Sequence, residues 1–250
     1  MMKLRKRNKL VCGVGVNDAD YVTQPRDKNG KQRTCPFYKA WCSMLQRAYS
    51  PKFHAFCPTY IGVTVCEEWH SFMAFRAWVQ TQDWEGKQLD KDILHPGNKV
   101  YSPENCIFVT PQINNLLIDG AAARGAYPIG VSWNKRDKKF QAKLNINGKL
   151  KHLGLFTDPH EAHLAWRKAK YDYVRAVAKE QTDQRLSKAL YLNADMILSG
   201  EHPMLQKENS HGEEVQGSGT MGAAKESASP SQASSAEPSK ETWPQICMAV

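Results

Sequence analysis

The chain has 250 residues, and its 34 Lys and Arg against 25 Asp and Glu give a formal net charge of +9 at pH 7. A hydrophobic fraction of 41% with 10% aromatic residues excludes a wholly disordered chain, and no stretch reaches the ~18 apolar residues that a membrane span needs. The basic surplus favours a polyanionic partner, most commonly nucleic acid.

The N-terminus is basic, but no apolar segment of signal-peptide length follows it, so we expect a protein that is not secreted. The seven cysteines include no C-x-x-C pair. This pattern disfavours a disulfide framework or a zinc site and fits a reducing cytoplasm, which would be that of the host cell if the chain is viral.

Composition divides the chain into five predicted segments. Residues 207–250 are rich in Ser, Ala, Gly and Pro and carry a net charge of −3, which predicts a disordered tail and leaves +12 on residues 1–206. A stretch of small residues at 119–126 separates two modules. The segments are an N-terminal extension, a first module, a second module, a helical extension and the tail, with ranges 1–34, 35–118, 124–178, 179–206 and 207–250.

Apolar side chains recur at helical spacing twice in the first module. Four of the seven tryptophans lie between residues 41 and 84, which is typical of a compact helical core and implies no cofactor. The two stripes consist of Phe37, Trp41, Met44, Leu45 and Ala48, and of Trp69, Phe72, Phe75 and Val79.

Residues 89–115 predict a short strand ending at Asp90, a Gly-Asn loop, a second strand at 106–110 and a helix from about Pro111. This order resembles the ββα-metal core of HNH endonucleases, particularly phage homing endonucleases. The neighbouring text, including Trp41-Cys-Ser-Met-Leu-Gln-Arg and Val65-Cys-Glu-Glu-Trp, is similar to that phage family too. The resemblance covers about residues 13–118.

The resemblance implies a divalent-metal site in the first module. Asp90 would be a carboxylate ligand and Asn114 an amide-oxygen ligand, which suits Mg²⁺ or Mn²⁺, and no zinc is expected. Asn105 matches the central Asn of the motif, which pins the loop through backbone hydrogen bonds. Family members place a His that activates water directly after the Asp, whereas this chain has Lys91 there.

The residue that would activate water is therefore open. An unperturbed Lys is almost fully protonated near pH 7, so Lys91 could act as a base only with a strongly lowered pKa and otherwise stabilises phosphate charge. Asp92 and His95 lie close enough in sequence to be replacement bases. Two alternatives remain: His95 is an ordinary loop histidine, or Asp90, Asp92 and Asn98 form only a polar turn.

The second module carries +7 over residues 124–173 and shows period-two alternation. Along residues 139–146, Lys, Gln, Lys and Asn alternate with four apolar residues, so one strand face is polar and the other is core. Asn147-Gly148 predicts a two-residue hairpin turn to a strand at 149–156, and residues 127–133 predict a preceding strand. Asp158-Pro-His-Glu predicts a helix start, and an alanine-rich stripe suits packing of that helix on the sheet.

The segments Gly130-Val-Ser-Trp, Phe140-Gln-Ala-Lys-Leu, Leu153-Gly-Leu-Phe and Glu161-Ala-His-Leu-Ala-Trp follow one another in this order. They resemble the Apetala-two/ethylene-response-factor DNA-binding domain over about fifty residues. Members of that family lay a three-stranded sheet in the DNA major groove, so the resemblance implies that the exposed sheet face contacts DNA. By position the contacts would be Trp133, Lys135, Arg136, Lys139, Gln141, Lys143, Lys149 and Lys151.

Three alternatives stay open for this module. The basic face could be an ordinary solvated surface, and Trp133 could be a core residue instead of a contact. Ile129 and Ser132 stand where plant members of the family have arginines, which leaves base specificity open.

The expected fold is therefore α+β. It has a small ββα-metal, HNH-like module with aromatic helices, then a three-stranded antiparallel sheet packed on one helix, then a disordered tail. The expected function is that of a phage HNH homing endonuclease, which binds double-stranded DNA and nicks or cleaves it with Mg²⁺ or Mn²⁺. The alternative is a DNA-binding, transcription-regulatory protein with a catalytically inactive HNH-like core. The oligomeric state is left open.

Overall fold

In the computed structural model, which describes residues 9–118 and 127–205, six α-helices and seven β-strands form a mixed α+β arrangement with three small sheets. The predicted boundary stretch at 119–126 lies wholly outside the described residues, and so does the predicted tail at 207–250. Among the described residues, no helix has the length and apolar character needed to cross a membrane.

The first module contains four helices and four short strands. Strands β1 and β3 pair in parallel, and strands β2 and β4 pair antiparallel. The predicted order of strand, loop, strand and helix is present as β2, a loop, β4 and α4, and β3 is an additional short strand. The elements are α1 (Pro36–Tyr49), α2 (Pro51–Phe56), β1 (Thr64–Val65), α3 (Phe72–Gln80), β2 (Gln88–Asp90), β3 (Val100–Tyr101), β4 (Ile107–Val109) and α4 (Pro111–Leu116).

Aromatic side chains fill the core of the first module, as the helical spacing predicts. Trp41, Trp69, Phe72 and Phe75 are fully buried, and the indole Nε1 of Trp41 donates a hydrogen bond to the Trp69 carbonyl at 2.7 Å. Trp69 lies in a 3₁₀ turn before α3 instead of in the helix itself. The second predicted stripe is therefore divided between a 3₁₀ turn, which carries Trp69, and helix α3, which carries Phe72 and Phe75.

The N-terminal residues described from residue 9 onward pack against this aromatic core. A Cβ added to Gly15 would lie 2.3 Å from Leu45 and 2.8 Å from Trp41, so the backbone approaches α1 closely there. Asp18 accepts hydrogen bonds from the Ser71 hydroxyl at 2.6 Å and from the Met73 amide at 2.9 Å. The segment thus closes over the start of α3.

The second module is a three-stranded antiparallel sheet covered on one face by a long helix, as predicted. Its elements are β5 (Val131–Asn134), β6 (Lys139–Ile146), β7 (Lys149–Phe156) and α5 (Pro159–Lys179), with strand order β5–β6–β7. Asn147 and Gly148 both have positive φ, 50° and 78°, in the predicted hairpin turn. The side chain of Asp158 accepts the amides of His160 and Glu161 and caps α5.

Two details of the sheet differ from the prediction. Strand β5 begins at Val131 instead of residue 127, because the Val131 amide donates to the Pro128 carbonyl at 3.0 Å in a preceding turn. The pairing of β6 with β7 also contains a β-bulge beside Ala142 and Lys143. The bulge changes which residues of β7 share a face.

A last helix, α6 (Gln184–Ser199), connects the two modules. Its residues Leu190, Ala194 and Ile197 are fully buried. They belong to a core that also contains Ile93, Leu94, Ile107, Val109, Ile113 and Leu116 from the first module and Leu144, Trp166 and Val174 from the second. The weakly amphipathic stretch that we predicted as a helical extension is thus a central packing element.

Polar contacts also join α6 to the first module. Asn193 of α6 is 1% exposed and donates a hydrogen bond to the Ile93 carbonyl at 2.9 Å. Its side-chain oxygen lies 2.8 Å from Nε2 of His202, whose Nδ1 accepts the Met204 amide at 3.2 Å. Arg185 adds a hydrogen bond to the Glu104 carbonyl at 3.1 Å. The loop after β2 is therefore held directly by Asn193 of α6, and Arg185 of the same helix binds the segment between β3 and β4.

Candidate metal site and nucleic-acid interface

Asp90 ends β2 and is half-buried. Its Oδ1 accepts hydrogen bonds from the amides of Asp92 at 2.8 Å and Ile93 at 2.7 Å, which close a tight turn after the strand. Burial, and next the neighbouring charge of Asp92, raise the pKa of Asp90, although the two amides and Lys91 oppose that rise. A nearby cation would favour the charged form of this carboxylate.

Asn114 lies on α4 and packs over the strand that carries Asp90. Its Nδ2 donates to Oε1 of Gln88 at 2.7 Å. Since alternate strand residues share a face, Gln88 and Asp90 point to the same side of β2, so Asn114 packs on the face that carries Asp90. With Nδ2 in that hydrogen bond, Oδ1 is the atom of Asn114 that can bind a cation.

These two residues fit a hard divalent cation. Mg²⁺ is commonly bound by one or two protein oxygens together with water and substrate phosphates. Among residues 9–118 and 127–205, no group of three or more His, Cys, Asp or Glu side chains is placed to hold a metal ion. A cation at Asp90 would therefore depend on the Asn114 amide oxygen and on ligands from the substrate.

Lys91 is tied to its neighbours and is only 6% exposed. Its Nζ donates to both carboxylate oxygens of Asp92, at 2.7 and 2.6 Å, and to the Asn98 carbonyl at 3.0 Å. An ammonium has three donors and no acceptor, so these contacts occupy the whole group. In this arrangement Lys91 has no lone pair to take a proton from water, and Asp92 is paired with a cation.

The loop after β2 is pinned mainly by Asn98. Its Nδ2 donates to the carbonyls of Lys91 at 2.9 Å and Val100 at 2.8 Å, and its Oδ1 accepts the Val100 amide at 3.1 Å. Asn105 adds one hydrogen bond, from Nδ2 to the Val100 carbonyl at 3.3 Å. His95 is exposed at the tip of this loop. The structure thus contains the predicted polar turn, and Asn114 bonds to Gln88 on the strand face that carries Asp90.

The sequence reasoning missed a half-buried arginine whose charge acts on this site. Arg47 of α1 has its guanidinium carbon 5.4 Å from the centre of the Tyr101 ring. Its buried Nε has no hydrogen-bond partner among the described residues. Burial acts to lower the pKa of Arg47, but Tyr101, Tyr60 and Asp90 together outweigh it, and the pKa is raised. The available signal was a single arginine between the core positions Leu45 and Ala48 of α1.

Among the described residues, α5 is the helix that packs on the sheet of the second module. We call the face turned away from α5 the outer face. Residues paired directly across antiparallel strands share a face. In the register, Gln141 pairs with Ser132 and Leu155, and Lys143 pairs with His152. The outer face consists of Ser132, Asn134, Lys139, Gln141, Lys143, Asn145, Leu150, His152 and Leu155.

Two of the predicted lysine contacts lie on the opposite face. The two-residue turn sets Lys149 directly opposite Ile146, and Lys151 opposite Leu144, whose side chains face α5. A one-residue slip in register moves every side chain of a strand to the other face. The prediction that Lys149 and Lys151 share the outer face is therefore wrong. The bulge then shifts the register by one residue, so that Phe156 lies on the α5 side, opposite Phe140.

Trp133, another of the predicted DNA contacts, does not lie on the outer face. It pairs with Phe140, and the two rings meet edge to face with centres 4.8 Å apart. Although Trp133 is 40% exposed, it stands on the α5 side of the sheet. Of the two readings that the sequence left open, the register favours the packing one.

The turn between β5 and β6 carries Lys135 and Arg136, and both are exposed. Arg136 donates to the two carboxylate oxygens of Asp137 at 3.0 and 3.2 Å. That hydrogen bond from Arg136 lowers the pKa of Asp137. The charge of Arg136 is thus partly balanced within the turn, whereas Lys135 extends the basic outer face at its edge.

Comparisons with known proteins return no matching family model, no similar curated protein and no similar solved structure. The two family resemblances therefore stay predictions drawn from the sequence motifs.

Proposed function

We propose that this protein binds double-stranded DNA through the outer face of its three-stranded sheet. The observation that carries the proposal is that Lys139, Gln141, Lys143 and Asn145 alternate with apolar residues along β6 and all lie on the outer face. Lysines neutralise phosphates, and amides hydrogen-bond to base edges in the major groove. The combination on one strand face matches what groove binding requires.

The register offers a test with a matched control inside the same sheet. We expect Lys139→Ala together with Lys143→Ala to weaken binding to a duplex and to flatten the dependence of log K on log salt by about 0.9 per lost phosphate contact. The control pair, Lys149→Ala with Lys151→Ala, removes the same charge from the opposite face. Fluorescence anisotropy over a salt series measures both.

An equal change in salt slope for the two pairs would contradict a specific role for the outer face. It would mean that the basic charge acts only through the net field of the module. If the variant Lys139→Ala with Lys143→Ala kept the full salt dependence of log K, the outer face would be an ordinary solvated surface.

We further propose that the first module nicks or cleaves DNA with Mg²⁺ or Mn²⁺, as the HNH resemblance implies. The support is the position of Asn114 on the strand face that carries Asp90. A divalent ion held there would stabilise the charge that develops on a scissile phosphate. Asn98 and Asn105 keep the loop in place, and His95 is an exposed imidazole within it.

Supercoiled plasmid incubated with Mg²⁺ or Mn²⁺ tests this part of the proposal. We expect nicking by the full chain and none by Asp90→Ala with Asn114→Ala, while Asp83→Ala, an exposed carboxylate, is the matched control and retains activity. Nicking that persists in the double variant would reject the proposed metal site. Loss of activity in His95→Gln would assign the base to that residue.

The second candidate function is DNA binding without cleavage by a regulatory protein. The contacts of Lys91 favour it, since the residue that stands in place of the family's base is held by Asp92 and Asn98. Absence of nicking on DNA that the protein binds, in either metal, would select this alternative.

A further inference from the structure

The outer face of the sheet carries two cross-strand pairs of an amide and a leucine. Gln141 of β6 lies opposite Leu155 of β7, and Asn145 lies opposite Leu150. Leu150 is 64% exposed and Leu155 is 38% exposed, although both lie in an ordered strand. On the face that we propose to bind DNA, each amide is thus accompanied by an exposed apolar side chain that a bound base could cover.

An A·T base pair matches the chemistry of such a pair of side chains. In the major groove adenine offers the N7 acceptor and the N6 donor, which Gln or Asn can contact with two hydrogen bonds. The thymine of the same base pair offers its C5 methyl group, the apolar contact available on the base edges of that groove. Directly opposed residues have Cβ atoms about 5 Å apart, so one amide and one leucine can reach the same base pair.

The spacing of the two pairs also fits a duplex. Gln141 and Asn145 are four residues apart on one strand, and at about 3.4 Å per residue this is about 14 Å. Base pairs rise about 3.4 Å each, so the two pairs would stand about four base pairs apart. Between them lie Lys143 and His152, paired with each other on the same face.

We propose that the Gln141–Leu155 and Asn145–Leu150 pairs each read one A·T base pair in the major groove, about four base pairs apart. This inference rests on the proposed DNA-binding function and names its sequence preference. Gln and Asn provide the contact to adenine, and the leucines provide the contact to the thymine methyl group.

Uracil tests the leucine contact directly, because it differs from thymine only by that methyl group. A random duplex library is first selected with the full chain, and the enriched duplex is then made with thymine or with uracil. We expect enrichment of two A·T pairs about four positions apart. We expect uracil to weaken binding about 15-fold, since two methyl groups are removed and burial of each contributes about fourfold.

The variant Leu150→Ala with Leu155→Ala should bind the thymine and uracil duplexes equally. Leu164→Ala is the matched control, because Leu164 is a 57% exposed leucine on α5, and it should keep the preference for thymine. A selected duplex without A·T pairs, or equal binding of thymine and uracil by the unaltered chain, would overturn this inference and leave the DNA-binding proposal intact. If the full chain retained no duplex from the library, this inference and the DNA-binding proposal would both be overturned.

Discussion

Gly130 allows α5 to pack against the sheet, and it does so for two reasons. Its φ of +81° lies in the region that favours glycine, and an added Cβ would lie 2.0 Å from the ring of Trp166. Gly148 in the hairpin turn has a similar φ of +78° but open space around it. Substitution at the two positions can therefore distinguish the cost of backbone strain alone from the cost of strain together with steric conflict.

We expect Gly130→Ala to lower the free energy of unfolding by about 3 to 5 kcal/mol, through strain and overpacking together. Gly148→Ala should cost only about 1 to 2 kcal/mol, because strain acts alone there. Urea unfolding followed by tryptophan fluorescence compares them. Equal losses for the two variants would show that the sheet and α5 move apart without cost.

His202 makes the stability of the fold depend on pH. Burial, with a further contribution from the charge of Lys170, lowers the pKa of His202 from its ordinary value of 6.5 to about 4. Nδ1 accepts the Met204 amide and Nε2 faces the Asn193 oxygen, so the neutral ring satisfies both contacts. Burial lowers the pKa of Lys170 itself only to about 8, so that amine stays charged below pH 7.

The lowered pKa of His202 determines whether stability rises or falls with pH. The unfolded chain binds a proton below pH 6.5 while the folded chain resists it until about pH 4, so stability present above pH 6.5 is lost as the pH falls through this window. The loss from His202 amounts to about 3 kcal/mol. We expect His202→Gln to remove this part of the pH dependence in urea unfolding at pH 4 to 7. Identical pH dependence in the variant and the unaltered chain would contradict the assignment.

At the scale of elements, the loop between β2 and β3 depends more on Asn98 than on the motif residue Asn105. Asn98 joins both arms of the loop through three hydrogen bonds, and Asn105 makes one longer contact. Since each hydrogen bond contributes about 1 kcal/mol, Asn98→Ala should cost about 3 kcal/mol and Asn105→Ala about 1 kcal/mol. Denaturant midpoints of the two variants measure the difference, and a larger loss for Asn105→Ala would reverse the ranking.

The strands, turn and helix of the second module could be predicted because their signals are local. Alternation, an Asn-Gly turn and an Asp-Pro cap each act within a few residues. The faces of β7 could not be predicted from its Lys-Leu alternation, because the register depends on the turn and on a bulge. Arg47 could not be predicted for a related reason. It lies over the Tyr101 ring and within the electrostatic influence of Asp90, and both residues follow it by more than forty positions in the chain.

At the scale of the whole molecule, the two modules share one hydrophobic core. Ile93 and Val109 of the first module and Trp166 and Val174 of the second all belong to the cluster around Leu190. The separate domains that composition suggests are therefore packed as one body across α6. If the sheet holds DNA, the face that carries Asp90 stands at a fixed position relative to that DNA.

A shared core predicts that both modules unfold together. We expect Leu190→Ala to cost about 2 to 5 kcal/mol, and this loss should lower the stability of both modules equally because two-state unfolding couples them. Hydrogen exchange measured by mass spectrometry reports on peptides from α1 and from β6 in one denaturant series. The control Met44→Ala removes a fully buried side chain from the aromatic core of the first module, and it should also destabilise β6. If Leu190→Ala loosened β6 while α1 kept its protection, the modules would be independent, and the Asp90 face would have no fixed position relative to bound DNA.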